Sequence, residues 1–255
     1  MKTIRIYLLE MKYEFLKVVR TPAYAIPTIA FPAIFYIFFG ITFGRHQQPH
    51  GGVTLAKYLL ATYGTFGVLG ASLFGFAVTI AMERGYGWMQ VKRTSPMPIG
   101  AYFAAKMAIA VMFSAIVVAV LYVLGFTLGD VRMPVGAAIS MFAILMSGAV
   151  TFSALGLAIG YFAGPTSAAP IVNLIFLPMS ILSGLWIPIF ALPKFIQNIA
   201  LALPAFHLSQ LALGTIGAAS GGSRAVHVIA LMVATAVFLA LAYFGYRRDE
   251  GKMYG

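Results

Sequence analysis

Six stretches of this chain, residues 24–43, 58–82, 103–128, 135–162, 168–185 and 225–246, run apolar with almost no charge. A helix needs roughly 20 such residues to cross the ~30 Å hydrocarbon core of a bilayer, and each stretch reaches or approaches that length. The rest of the chain is too thinly charged to make the alternative work: 61% of residues are hydrophobic and 9% are charged, whereas an average soluble domain carries roughly 25% charged residues. The sequence therefore predicts one all-α membrane domain over residues 1–255, with six transmembrane helices and both termini on one side.

Orientation follows from the cations that flank the stretches, because Lys and Arg are retained on the cytoplasmic face. With the N-terminus inside, twelve of the 17 cations are cytoplasmic (Lys2, Arg5, Lys12, Lys17, Arg20, Arg84, Lys92, Arg93, Lys106, Arg247, Arg248 and Lys252) and five are outside (Arg45, Lys57, Arg132, Lys194 and Arg224). The net charge of +11 is thus read as a topology signal; the cations form no stripe suited to nucleic acid. Before the first stretch, Ile4, Leu8, Met11, Phe15 and Val18 share one helical face, with Lys2, Glu10, Lys17 and Arg20 opposite. This predicts an amphipathic helix over 3–20 lying in the headgroup plane, turning into the membrane at Thr21-Pro22. No short apolar run ends in a small-residue cleavage site, so a cleaved signal peptide is not expected.

Residues 186–214, between the fifth and sixth stretches, are apolar yet interrupted by Pro188, Pro193 and Pro204 and by Lys194, Gln197 and Asn198. Short re-entrant helices dipping into the outer leaflet account for both features. Gly156, Gly160 and Gly164, and likewise Gly67, Ala71 and Gly75, recur every fourth residue and open helix faces to close packing.

Reactive chemistry is sparse. The chain has no cysteine, no phosphate-binding loop, no nucleophile elbow and no zinc-binding His-Glu-x-x-His, and its six acids lie outside the apolar stretches. His46 and His50 are read as part of a solvated outer loop, and His207 and His227 as polar anchors near the membrane boundary. Carriers driven by an ion gradient usually need an ionisable group within the membrane, so the chain either conducts passively or is driven by a partner.

The polar segment ERGYGWMQVKRTSPMP, residues 83–98, bears on that choice. Gly85 and Gly87 open a short surface helix and Pro96 and Pro98 stop it; its Trp and cations suit docking into a partner's groove. A plain inner loop held by headgroups accounts for the same composition. The segment resembles the cytoplasmic motif of ABC-2 type permeases, the membrane subunits of a class of ATP-binding-cassette exporters: Glu83, Arg84, Gly87, Ser95 and Pro96 carry the match. Trp88 stands where that family usually has Thr. The N-terminal surface helix, the six stretches and the 186–214 segment resemble the rest of the family in order.

The resemblance implies a permease subunit working as a dimer in a bacterial or archaeal inner membrane, free of nucleotide chemistry itself, with ATP and Mg held by separate cytoplasmic ATP-binding-cassette subunits. It implies that Glu83, Arg84, Gly87, Trp88, Lys92, Arg93, Ser95 and Pro96 couple the chain to those subunits. It also implies a pathway between the first, second and fifth spans, where the chain offers Phe31, Phe35, Tyr36, Phe39, Asn173 and Ser180. Each aromatic suits lipid contact as well as a pathway, and Asn173 suits an interhelical bond as well as substrate. The expected cargo is a hydrophobic or amphiphilic molecule such as a drug, antibiotic or lipid; a polysaccharide or lipo-oligosaccharide is the alternative within transport. A passive channel or an intramembrane enzyme is the alternative outside it.

Overall fold

Proline and glycine, more than hydropathy, set where the helices begin and end. The computed structural model describes residues 2–44, 52–94 and 97–251. Helix α1, Lys2–Val19, is followed at once by α2, Pro22–Phe35. Pro22 occupies the first turn of α2, where a missing N–H has no cost, and Thr21 Oγ1 donates back to the Lys17 carbonyl at 2.8 Å. Pro27 and Pro32 lie inside α2, and the helix widens into a π-helix over Tyr36–Phe43. The widened turns carry Tyr36 into a seat floored by Gly40, Gly125 and Gly129, where its hydroxyl donates to the Ala56 carbonyl at 3.1 Å.

Helices α3, Leu55–Gly85, and α6, Val135–Phe162, form the centre of the bundle. Their close approach depends on glycine: a Cβ at Gly156 would meet Phe76 Cβ at 2.8 Å, and one at Gly160 would meet Ile80 Cβ at 3.0 Å. Helix α5, Ile99–Thr127, packs beside α3, while α2 and α10, Arg224–Gly251, flank the bundle. The flanking helices expose Ile26, Phe31, Ile34, Met232, Val233 and Phe244, among others. Apolar surface of that extent suits lipid and would aggregate in water.

Five helices are long and apolar enough to cross a membrane, or six if the bent pair below is one span. The expected fifth span, 168–185, is shorter than predicted: α7 covers Ala168–Leu182, and Gly184 then turns the chain with φ +71°. Helix α7 nevertheless connects the two ends of the bundle. Pro165, just before it, lies against Gly85, and Trp186, just after it, lies beside Phe66, with its carbonyl 3.5 Å from the Tyr63 hydroxyl. Between Tyr63 and Gly85, α3 rises about 33 Å, the depth of a bilayer core. After a 3-10 turn at Ile189–Ala191, the helices α8, Lys194–Ala200, and α9, Pro204–Gly214, meet at 93°.

Two other boundaries differ from the sequence expectation. Helix α3 runs on past residue 82, so Glu83 and Arg84 form its last turn. Helix α5 starts at Ile99, directly after Pro98, so Lys106 sits two turns inside it. In α1 the apolar residues Ile4, Leu8 and Phe15 face outward, and the face on the bundle carries buried Glu14 and Val18.

Candidate functional site

Consecutive residues on a helix point about 100° apart, and at the end of α3 this sends two charges to opposite sides of the bundle. Glu83 turns toward α1 and α5. Its carboxylate accepts from Lys17 Nζ, from Lys106 Nζ at 3.1 Å and from the Tyr102 hydroxyl at 2.6 Å. Lys106 also donates to Glu14 Oε2 and to Thr79 Oγ1, each at 3.3 Å, so its three N–H donors all have partners. The Tyr102 ring centroid lies 4.9 Å from the same ammonium. Two cations and two carboxylates thus sum to zero charge. The Lys106, Glu83 and Glu14 side chains keep only 3%, 8% and 8% of their surface exposed. A buried set of this kind needs every partner, since removing one leaves an uncompensated charge.

Arg84 turns toward α6 and α10. One guanidinium nitrogen donates to the Gly160 carbonyl at 2.6 Å and another to the Ala163 carbonyl at 3.4 Å, while Nε pairs with Asp249 Oδ1 at 3.0 Å. Those carbonyls belong to the last turn and C-cap of α6, where helix geometry leaves acceptors without backbone partners and a negative dipole end. The adjacent pair Glu83-Arg84 therefore joins the ends of α1, α5, α6 and α10 to α3. It also places both termini of the helical bundle, α1 and the end of α10, on one face.

The chain leaves this junction through glycines that the geometry requires. A Cβ at Gly85 would sit 2.6 Å from Pro165 Cγ, and Gly87 adopts φ +77°, the left-handed region. Helix α4, Trp88–Thr94, follows. Met89 anchors it in an apolar cluster with Phe76, Ile80 and Tyr102, while Tyr86, Trp88 and Val91 stand 64%, 59% and 61% exposed. Lys92 and Arg93 lie on α4, but their side chains lie outside the described residues, as do Ser95 and Pro96 entirely. Glu83 and Arg84 are buried or half-buried within the bundle, and among the described residues of this segment the large exposed apolar side chains are Tyr86, Trp88 and Val91.

A second feature lies between α2, α3 and α7, a cavity of about 470 Å³ walled by Phe31, Phe35, Phe66, Phe74, Phe176 and Trp186, with Asn173 at its side. Phe35 and Trp186 approach to 4.8 Å between centroids, and Phe66 stacks on Phe176 at 4.9 Å. Gly67 and Gly70 form the back wall; a Cβ at Gly70 would touch the Phe176 ring at 3.3 Å. Three polar groups on the wall bond to the protein's own carbonyls, Asn173 Nδ2 to Ala169 O at 3.2 Å, Thr28 Oγ1 to Tyr24 O at 2.7 Å and Tyr24 Oη to Ala71 O at 2.8 Å, while the buried Trp186 indole N–H has no partner among the described residues.

Of the six residues expected along a pathway, the structure brings Phe31, Phe35 and Asn173 to this cavity. Phe39 stacks on Phe35 at 6.1 Å but is 38% exposed outside it. Tyr36 points away into its glycine seat, and Ser180 is fully buried, its hydroxyl donating to the Phe176 carbonyl at 2.6 Å. Sequence reading missed Glu14, Tyr102, Lys106, Asp249 and Trp186. A lysine at the fourth position of the 103–128 apolar stretch was the one local signal for the buried set. His46 and His50 lie outside the described residues.

Comparison with known proteins agrees with this architecture. A family model described as ABC-2 type transporter matches residues 7–216. A Bacillus subtilis (strain 168) protein named as a transport permease, YvfS, is 27% identical over 244 residues, covering 93% of this chain and 95% of that protein.

Proposed function

The chain belongs to the ABC-2 type transporter family, and we propose that it is the permease subunit of an ATP-driven exporter that moves a hydrophobic or amphiphilic molecule. The observation that carries the coupling half of this reading is the position of α4. Its exposed Trp88 and Val91 lie three residues apart on one face, and its root is the Glu83-Arg84 junction. A partner gripping that face moves the ends of five helices together. ATP and Mg are held by the cytoplasmic partner, which closes on nucleotide and carries α4 with it. The junction, with every buried charge matched, transmits the displacement without absorbing it.

The cavity supports this choice of cargo. Its wall is mostly ring faces and aliphatic groups, and the Thr28 and Tyr24 hydroxyls and one Asn173 N–H already bond to backbone carbonyls. A drug-like or lipid-like molecule loses little on entering such a site, whereas each sugar hydroxyl left without a partner costs about 1 to 3 kcal/mol, which disfavours a polysaccharide. Two copies facing each other across α2, α3 and α7 would join their cavities into one pathway. The sequence assigns twelve of the 17 cations to the side of the N-terminus, and on that assignment the face holding α1 and the end of α10 is cytoplasmic.

The experiment is purification of the chain with co-expressed ATP-binding subunits, followed by transport of a lipophilic fluorescent dye in proteoliposomes. The reading requires a stable complex and dye movement that depends on Mg-ATP. Movement by the chain alone, without the ATPase, would support a passive channel instead.

A further inference from the structure

Two histidines that take no part in the junction or the cavity meet at the opposite end of the bundle. His207 on α9 and His227 in the first turn of α10 are both buried, and their Nδ1 atoms lie 2.8 Å apart. Nε2 of His207 lies 3.0 Å from the Leu201 carbonyl oxygen, and Nε2 of His227 lies 3.1 Å from the Gly221 carbonyl oxygen. The surrounding chain is shaped to the pair. Gly221 and Gly222 hold φ of +129° and +86°, a Cβ at Gly222 would press on His227 Nε2 at 3.0 Å, and the Phe206 ring packs 5.5 and 6.0 Å from the two imidazoles.

Hydrogens can be counted from this geometry. A carbonyl oxygen only accepts, so each Nε2 must carry a hydrogen. At 2.8 Å, one Nδ1 must donate to the other. That requires three hydrogens on two rings, one more than two neutral imidazoles hold. We infer that His207 and His227 bind one excess proton as an imidazolium and imidazole pair, and that this proton clasps α9 to α10.

The neighbourhood leaves the proton's charge to the pair itself. Among the described residues no carboxylate lies within ion-pair distance of either ring; the acid at this end, Asp130, pairs with Arg132 at 3.4 Å. The other charged or titratable groups here are Arg224 at the start of α10, Lys194 at the start of α8, and Lys57 and Tyr58 at the start of α3. Burial pushes His207 toward its neutral form, the Leu201 carbonyl opposes that push, and the neighbouring His227 adds to it. When rising pH removes the excess proton, either the two Nδ1 lone pairs face each other or one Nε2 faces its carbonyl without a hydrogen. One of three bonds is lost, so the clasp is tight at acid pH and loosens as pH rises.

The test is nitrogen-15 NMR of the full chain, labelled at histidine, in lipid nanodiscs. The sequence has 4 histidines, so His46→Gln with His50→Gln leaves the pair as the sole reporters. The expected result is loss of a single proton per pair between about pH 5 and pH 8, with coupling across the two Nδ1 atoms at the acid end. Independent titration of two rings, or a neutral pair at both ends without coupling, overturns the assignment. Because the chain has no cysteine, spin labels at Ala202→Cys and Val226→Cys report the clasp directly. Their distance distribution is expected to broaden as pH rises, and to be broad at both ends in His227→Gln; a distribution unmoved by pH in the parent overturns the switch. Neither readout involves transport, so failure here leaves the exporter reading untouched.

Discussion

Glu83 and Arg84 are neighbours on α3, yet one binds Lys17 and Lys106 and the other binds Asp249 and the end of α6. A single turn of helix therefore ties the first helix α1 to the last helix α10, with three long helices held between them.

Glu83→Gln removes the charge that Lys17 and Lys106 share. Lys106 is left buried with Glu14 as its remaining anion, and breaking a buried pair costs about 3 to 5 kcal/mol. The expected outcome is a lower thermal midpoint in detergent. The double variant Glu83→Gln with Lys106→Met should destabilise by less than the sum of the two singles, since the second change removes the stranded charge. Additive losses would show that the two groups are not coupled.

Arg84→Lys keeps the charge but has no planar fork to reach two carbonyls and a carboxylate at once. It should therefore lose a large share of the stability lost in Arg84→Ala. Differential scanning fluorimetry of the two variants checks this; a Lys variant as stable as the parent would mean that charge alone serves here.

Trp88 is 59% exposed and, among the described residues, belongs to no apolar cluster of the bundle. Trp88→Ala is expected to change the stability of the isolated chain by no more than about 0.5 kcal/mol. As an anchor in a partner's groove it should instead lower affinity for the ATP-binding subunit by roughly 30-fold or more. Titration of the partner onto the chain in nanodiscs measures this directly.

Gly70→Leu places a side chain where a Cβ alone already touches Phe176, on the wall of the 470 Å³ cavity. Export should fall at least tenfold while assembly with the ATPase persists, because α4 is distant from the change. Dye efflux and co-purification read the two effects separately.

Where the sequence succeeded, local signals sufficed. Helix α6 runs from Val135 to Phe162 as expected, because Pro134 precedes an unbroken apolar run and Gly164-Pro165 closes it. Hydropathy placed the end of α3 too early, since it registers the first charge, whereas the backbone continues until Gly85 and Gly87. Lys106 was read as a flank because its counter-charges lie at Glu14 and Glu83, far away in sequence and adjacent only after folding. Phe31 and Phe35 reach the cavity through ordinary helical spacing, but the π-helix after Phe35 turns Tyr36 inward, a change of register that no local hydrophobic pattern encodes.

The proposed coupling of this chain to an ATPase runs through the Glu83-Arg84 junction. Dye export by the purified complex in proteoliposomes, with Mg-ATP and matched amounts of assembled complex, tests it most directly. For Glu83→Gln the account predicts retained ATPase binding and hydrolysis with export reduced at least tenfold. Export equal to the parent's, in a variant shown to have lost the Lys106 contact, would contradict it.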